Sequence, residues 1–191
     1  MKLARVNTCL LIAILLVCGY IIVMPIVPMA SFWFLSHSGA RVSALSNRLH
    51  IPAAQQTAIP ADNRLIIPSM LLDAPIHEGA SSVALRSGTW RRPVGSTPDR
   101  GGNTIIVAHR FTYTDPRGPF YYLNKVNVGD KIGVFWQGKR YIYTVASVAT
   151  VHADQTSIED ATTDARLTLY TCTPLWLPKD RLVVTAELEK P

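Results

Sequence analysis

The chain has 191 residues, of which 48% are hydrophobic and 17% charged, and its formal net charge is +6 at pH 7. This length accommodates one domain and an anchoring segment, and no internal repeat is visible. The basic residues are scattered and form no Lys/Arg block with interleaved aromatic residues, so we expect no binding to nucleic acid. A solvated basic surface that faces anionic polymers is the simpler interpretation.

The N-terminal segment, residues 1–35, predicts a membrane anchor. An apolar run extends from Leu10 to Leu35. As a helix, its about 26 residues would reach ~39 Å, enough to cross the ~30 Å hydrocarbon core of a bilayer. Pro25 and Pro28 are expected to kink that helix or to end it near Met24.

The charges beside this run predict its orientation. Lys2 and Arg5 precede it, and the next Lys or Arg is Arg41. By the positive-inside rule, the N-terminus stays in the cytoplasm and the rest of the chain is extracellular, held at the cell membrane by a single span. Two other export signals stay open: a signal peptide cleaved near residues 38–40 and a lipoprotein signal ending at Cys18.

Residues 36–62 carry Ser, Ala, Gln, Asn and Pro with little periodic apolar pattern, which predicts a stalk with a helical turn from Val42 to Leu49. Residues 63–191 then show short apolar runs between turn signals, which predict an all-β barrel or sandwich with one or two short helices. The helical turns are Val83–Arg86 and Phe120–Lys125. The predicted strands are Arg64–Ile67, Ala74–Glu78, Gly102–His109, Lys131–Trp136, Arg140–Val151, Arg166–Thr171 and Leu182–Leu188.

A single cysteine, Cys172, lies in the predicted exported domain, since Cys9 and Cys18 belong to the N-terminal segment. Exported proteins tend to pair their cysteines or to lack them, so an unpaired one calls for an explanation. It is either a small buried hydrophobe or a reactive nucleophile. Its position at a strand end, before Pro174, favours display at the surface.

A nucleophilic cysteine needs a partner that raises its thiolate fraction and later donates a proton. His109 ends the most apolar strand of the domain, where its side chain would lie at the rim of a barrel. Spacing alone does not separate His109 from His152, and His77 is a third candidate. Arg181 opens the last strand, so antiparallel pairing would return it beside Cys172 as an oxyanion-side cation, with Lys179 as the nearby alternative.

Three motifs, which lie along the chain at residues 102–110, 168–172 and 181–184, resemble motifs of the sortase family in the same order. Thr168–Cys172 reads Thr-Leu-Tyr-Thr-Cys and is similar to the Thr-Leu-x-Thr-Cys signature of the family. Gly102–Arg110 resembles its Gly-Asn-x-x-(apolar)-x-(Gly/Ala)-His-Arg strand, and Arg181–Val184 resembles the strand that holds its active-site arginine. The similarity covers about residues 63–189, and three motifs in order are much more specific than one.

The resemblance implies a closed eight-stranded β-barrel behind an N-terminal transmembrane helix. It implies that His109, Cys172 and Arg181 are catalytic and that Thr171 and Ala108, beside them, bind substrate. The activity would be that of a cysteine transpeptidase, which cleaves a Leu-Pro-x-Thr-Gly-like sorting signal after Thr through a thioester on Cys172. No cofactor and no metal ion is implied.

The partners implied by the resemblance are secreted proteins with a C-terminal sorting signal and an amine from a wall precursor or a pilin lysine. The single anchor and the lack of a second apolar run favour a housekeeping or class D/E-like subclass. Asp115–Pro119 is expected to be a local elaboration. Four acidic residues before the Cys172 strand lack the spacing of an EF-hand, so a solvated loop is favoured over a Ca²⁺ site; they are Asp154, Glu159, Asp160 and Asp164.

Two kinds of protein are alternatives to a sortase-type enzyme. A papain-like peptidase has its cysteine before its histidine, whereas His109 precedes Cys172, and the Ser-x-Gly-Cys pattern of L,D-transpeptidases is absent from the sequence. A non-catalytic extracytoplasmic β-domain that binds wall polymer or a partner is the alternative from another class. The joint presence of His109, Cys172 and Arg181 favours the enzyme.

Overall fold

A computed structural model describes residues 2–50, 60–112, 117–175 and 177–189 of the chain. Contacts between residues divide the chain into two units, Met1–Ala40 and Arg41–Pro191. The boundaries between anchor, stalk and barrel domain, at residues 36 and 63, remain predictions from the sequence. Residues 51–59 of the predicted stalk, together with Asp115 and Pro116 of the predicted elaboration, lie outside the described residues.

The N-terminal unit is one helix, α1 (Lys2–His37). Its stretch Arg5–Val23 has a mean hydropathy of 2.6 and is long and apolar enough to be a candidate membrane span. The expected end of the helix near Met24 was wrong, because α1 continues through Pro25 and Pro28. A proline removes one backbone donor from a helix, and the hydrogen bonds on either side of it can carry the helix onward.

The second unit contains a closed barrel with the strand order β1-β2-β3-β4-β7-β8-β6-β5, in which β5 pairs with β1. The closed eight-stranded barrel implied by the resemblance is therefore confirmed, and closure excludes the sandwich. The strands are β1 (Arg64–Ile67), β2 (Leu72–His77), β3 (Thr89–Arg91), β4 (Asn103–Val107), β5 (Lys131–Trp136), β6 (Lys139–His152), β7 (Arg166–Thr173) and β8 (Asp180–Leu188).

Strand β3 is the element that the pattern of apolar residues did not predict. It has three residues, too few to show an alternation, and it exists because Thr89 pairs with Ile76 of β2 while Trp90 pairs with Val107 of β4. The predicted short helices are 3-10 turns, at Ser82–Ser87 and Leu123–Lys125, and two further ones lie at Pro68–Met70 and Thr156–Glu159.

Helix α2 (Ala40–Leu49) covers part of the outer surface of the barrel. Its Leu45 and Leu49 are buried against Ile66 of β1 and Phe135 of β5. By these contacts α2 belongs with the barrel, although its sequence was assigned to the stalk. The barrel interior is filled by aliphatic and aromatic side chains, so rigid strands surround the positions where β4 and β7 end and β8 begins.

Candidate active site

The site forms where β4 and β7 end together. The two strands are parallel neighbours, in register from Asn103–Arg166 to Val107–Tyr170. The ladder stops at that last pair. His109 lies two residues after Val107 in the chain, and Cys172 lies two residues after Tyr170. Since parallel strands bring their carboxyl ends to the same edge of a sheet, the folding of β4 next to β7 delivers both side chains to one rim of the barrel.

Two hydrogen bonds hold these strand ends together beyond the last ladder pair. The Thr171 hydroxyl donates to the Ala108 carbonyl oxygen over 2.8 Å. On the other side, Arg110 Nη1 donates to the Thr173 hydroxyl over 2.7 Å. Residues 108 and 171 are thus joined, as are residues 110 and 173, so His109 and Cys172 lie between the two bonds.

Arg181 lies directly across the β7–β8 ladder from Cys172, as expected from antiparallel pairing. Its Nη1 donates to the Asp180 carbonyl oxygen over 3.1 Å. Within the described residues it bonds no carboxylate. Lys179 is exposed and precedes β8, so it has no such place opposite the sulfur.

The two other candidate histidines lie on strands that do not adjoin β7. His152 of β6 pairs with Asp180 of β8, so β8 lies between His152 and β7. The Nδ1 atom of His152 is hydrogen-bonded to the Asp154 carboxylate over 2.7 Å. Its side chain is 69% exposed. His77 lies on β2, from which β7 is separated by β3 and β4. Of these three, His109 alone follows a strand that adjoins β7, the strand of Cys172.

The chain after His109 packs tightly behind it. The Phe120 amide donates to the His109 carbonyl oxygen over 3.1 Å. A Cβ atom added at Gly118 would lie 2.3 Å from that same oxygen, so this close approach requires glycine. Part of the predicted elaboration therefore supports the backbone that carries the imidazole.

An apolar cluster with a polar edge covers the outer face of the barrel next to the site. Trp90, Ile105 and Val107 are buried there, and Tyr170 packs against them. Tyr170 lies two residues before Cys172 and so shares its face of β7. The Tyr170 hydroxyl donates to Glu159 over 2.5 Å.

Glu159 binds both Tyr170 and Arg92. Nε and Nη2 of Arg92 each donate to one carboxylate oxygen over 2.8 Å. Burial alone would raise the pKa of Glu159, but the bonds from Arg92 and Tyr170 outweigh it and hold that pKa below its ordinary value. Burial, then the Glu159 hydrogen bond and charge, raises the pKa of Tyr170. Sequence reasoning missed this triad because Arg92 and Glu159 are far apart in the chain.

A family model described as Sortase domain matches residues 65–189. The chain belongs to the sortase family. This confirms the resemblance drawn from the three motifs. In sequence the chain is similar to Sortase SrtE1 of Streptomyces coelicolor, at 32% identity, and to Sortase A of Listeria monocytogenes, at 29% identity. The first alignment covers 65% of this chain and 39% of the relative, and the second covers 66% and 55%. The chain thus spans about two fifths to just over half of these relatives.

Solved structures of other sortases share the fold. The crystal structure of sortase A from Listeria monocytogenes superposes with a TM-score of 0.59 at 28% identity, over 69% of this chain and 89% of that one. Sortase C-1 from Actinomyces oris gives a TM-score of 0.61 at 25% identity, over 74% and 84%. The range matched by the family model, residues 65–189, contains His109, Cys172 and Arg181.

Three of the four acidic side chains in the β6–β7 connection of this sortase domain bond to protein groups. Asp154 bonds His152, Glu159 bonds Arg92 and Tyr170, and Asp164 bonds Arg166 over 3.2 Å. Across the described ranges, no three His, Cys, Asp or Glu side chains are grouped to hold a metal ion. Each of these three carboxylates therefore has a protein partner.

Thr171 and Ala108, the predicted substrate-binding residues, are 2% and 5% exposed. Their mutual hydrogen bond occupies the Thr171 hydroxyl. In the structure, the Thr171 hydroxyl therefore joins the end of β7 to the end of β4. Direct binding of substrate by either residue remains a prediction.

Proposed function

We propose that the chain is a cysteine transpeptidase that cleaves a Leu-Pro-x-Thr-Gly-like sorting signal after Thr and transfers the acyl group to an amine. The observation that carries the proposal is that Cys172 lies directly opposite Arg181 on the β7–β8 ladder. The residues on either side of Cys172 are hydrogen-bonded to the residues on either side of His109. Nucleophile, proton carrier and cation thus come from three adjacent strands. Family membership supports the same reaction.

In the first half-reaction, the Cys172 thiolate attacks the carbonyl carbon of Thr in the sorting signal. The C–S bond forms, and the C–N bond to Gly then breaks. Protonated His109 gives its proton to the departing amine, which would otherwise be a poor leaving group. The result is a thioester on Cys172 and a free peptide that begins with Gly.

In the second half-reaction, an acceptor amine attacks the thioester carbon. His109 removes a proton from that amine, the new amide bond forms, and the C–S bond breaks to restore the thiolate. Atoms and charge balance without any oxidant, reductant or cofactor. Water in place of the amine would give hydrolysis by the same steps.

Arg181 would stabilise the negative charge that develops on the carbonyl oxygen in both half-reactions. A guanidinium keeps its proton and has several donors, of which the Asp180 carbonyl engages one. Since Arg181 is partly buried and bonds no carboxylate in the described ranges, its charge is available to an incoming oxyanion. One donor of this kind is worth about 2.7–4 kcal/mol in the transition state.

The setting proposed for this reaction is the outer side of the cell membrane, with α1 as a single-pass anchor and its N-terminus in the cytoplasm. The apolar stretch Arg5–Val23, with Lys2 and Arg5 at its N-terminal end, supports this orientation. The substrates would be secreted proteins that carry a C-terminal sorting signal. The amine would come from a wall precursor or from a pilin lysine.

The direct test uses the full chain in detergent, a set of sorting-signal peptides and an amine. With the amine withheld, the mass of Cys172 should rise by the acyl half of the peptide. Cys172→Ala should abolish cleavage and transfer, and His109→Ala should be nearly as severe. Arg181→Ala should cost roughly two to three decades in rate, with little recovery in Arg181→Lys because a point charge does not replace a planar fork of donors.

The matched controls remove a histidine and a cation from positions beside the site. His152→Ala and Lys179→Ala should both be mild. Full activity of Cys172→Ala would overturn the proposal. Hydrolysis without an acyl-enzyme, with His77 or His152 essential, would overturn it equally. A protein that binds wall polymer and forms no thioester would instead be the non-catalytic β-domain.

A further inference from the structure

Arg110 links the residue after the histidine to the residue after the cysteine. It directly follows His109, and its Nη1 donates to the hydroxyl of Thr173, which directly follows Cys172. Its Nε also donates to the Tyr121 carbonyl oxygen over 3.4 Å. The side chain therefore bridges the end of β4, the end of β7 and the segment that packs behind His109.

The charge of Arg110 is not neutralised by a carboxylate in the described part of the chain, since both of its bonds are to neutral oxygens. Burial lowers its pKa, and the nearby Tyr121 opposes this. A guanidinium nevertheless stays protonated in proteins, so a half-buried positive charge is kept here. Arg181 shares this feature, whereas four other partly buried arginines each bond a carboxylate: Arg64, Arg91, Arg92 and Arg166.

The location of the bond explains what it can do. Backbone pairing between β4 and β7 ends at Val107 and Tyr170, two residues short of the reacting side chains. Beyond that pair, two side-chain bonds on either side of His109 join the end of β4 to the end of β7 and so limit the displacement of His109 from Cys172. Thr171 supplies one of them, from inside the barrel, and Arg110 supplies the other, from the open rim.

We propose that Arg110 is a positioning residue that acts through Thr173 to keep His109 aligned with Cys172 during proton transfer. The inference rests on the proposed transpeptidase function. Proton transfer to the leaving amine is sensitive to displacements of about 1 Å, which can lower a rate by about a hundredfold. The bond therefore matters to acylation, in which His109 and Cys172 act together, and not to reactions of the sulfur alone.

The test compares two reactions of Cys172 in the full chain in detergent. One is acylation by a sorting-signal peptide, which needs His109. The other is alkylation by iodoacetamide, followed by mass spectrometry of the Cys172 peptide so that Cys9 and Cys18 do not interfere. The variants are Arg110→Met, Thr173→Val, the double variant and Thr173→Ser, which keeps the acceptor oxygen. Arg100→Met, at an exposed arginine of the β3–β4 connection, is the matched control.

Arg110→Met and Thr173→Val should each slow acylation by about ten- to a hundredfold. The double variant should be no slower than the worse single variant, because both remove the same bond. Thr173→Ser should recover most of the rate, and Arg100→Met should match the wild type. In Thr173→Val the charge remains, so the pH midpoint of alkylation should stay where it is in the wild type.

Three results would overturn the inference. Thr173→Val with a wild-type acylation rate would show that the bond does not position His109. Additive losses in the double variant would show that Arg110 and Thr173 act separately. Equal losses of acylation and alkylation would indicate a general collapse of the site. If the wild-type Cys172 alkylates normally but no peptide acylates it, the proposed function fails, and the inference falls with it.

Discussion

Glu159→Gln is the substitution that best tests how the β6–β7 connection is held beside the site. Glu159 is the common acceptor for Arg92, which follows β3, and for Tyr170, two residues before Cys172. Glutamine has nearly the same shape but no charge and only one acceptor oxygen. The change therefore removes the ion pair and one of the two bonds from Arg92 without creating a cavity.

The size of the loss follows from the burial of the pair. A hydrogen bond to a charged group contributes about 1.5–3 kcal/mol. The Glu159 and Arg92 side chains are 17% and 31% exposed, so water replaces part of what is lost. We expect Glu159→Gln to lower the free energy of unfolding by about 2 kcal/mol. At about 2–4 °C per kcal/mol for a unit of this size, the melting temperature should fall by about 4–8 °C.

The effect should depend on pH in one direction. The bonds from Arg92 and Tyr170 hold the folded-state pKa of Glu159 below its ordinary value. The stabilisation is therefore complete above the unfolded-state pKa, near ~4.3, and is lost as the pH falls through the lower folded-state value. The difference between wild type and Glu159→Gln should be constant near neutral pH and should shrink below about pH 4.

The assay is thermal unfolding of the full chain in detergent, followed by near-ultraviolet circular dichroism at pH 7 and at lower pH. Asp154→Asn is the matched control, since it makes the same chemical change in the same connection, where Asp154 is hydrogen-bonded to His152 and the two side chains are 82% and 69% exposed. It should cause no resolvable shift. A Glu159→Gln melting temperature equal to that of the wild type, or an equal loss in Asp154→Asn, would refute the reasoning.

Three further substitutions test other contacts by unfolding and acylation assays. Thr171→Val should cost about 1–3 kcal/mol, because it leaves the buried Ala108 carbonyl without its donor; an unchanged melting temperature would contradict this. Gly118→Ala should slow acylation by about a hundredfold, because its Cβ would displace the His109 carbonyl, and a wild-type rate would count against the close approach. Leu49→Ala should cost about 2–5 kcal/mol if α2 is docked on the barrel as its burial indicates; no loss would mean that α2 contributes nothing to stability.

Some of this architecture could be predicted because its signals are local. β1 and β5 have the predicted bounds, since each is a short run of apolar residues between turn residues. The motif around Cys172 likewise lies within one strand and needed no knowledge of the fold. In contrast, β3 is a strand only because β2 and β4 flank it, and three residues do not show a period.

The site shows the same division. Sequence placed Cys172 at a strand end and proposed Arg181 across from it, because a short connection between antiparallel strands constrains which residues face each other. It did not decide between His109 and His152 on spacing. The order of strands showed which of the two histidines lies nearer in the sheet to the Cys172 strand. β4, which leads to His109, adjoins β7, whereas β8 lies between β7 and β6, the strand of His152.

By itself, the sequence determined the apolar N-terminal segment, most strands and the membership of the three motifs in one family, since each depends on residues close together in the chain. The tertiary structure alone decided that α2 packs on the barrel, that Arg92 meets Glu159, and that Arg110 reaches Thr173. These contacts join residues far apart in the chain. They exist only because closure of the barrel sets which strands adjoin and in which register, and no local periodicity carries that information.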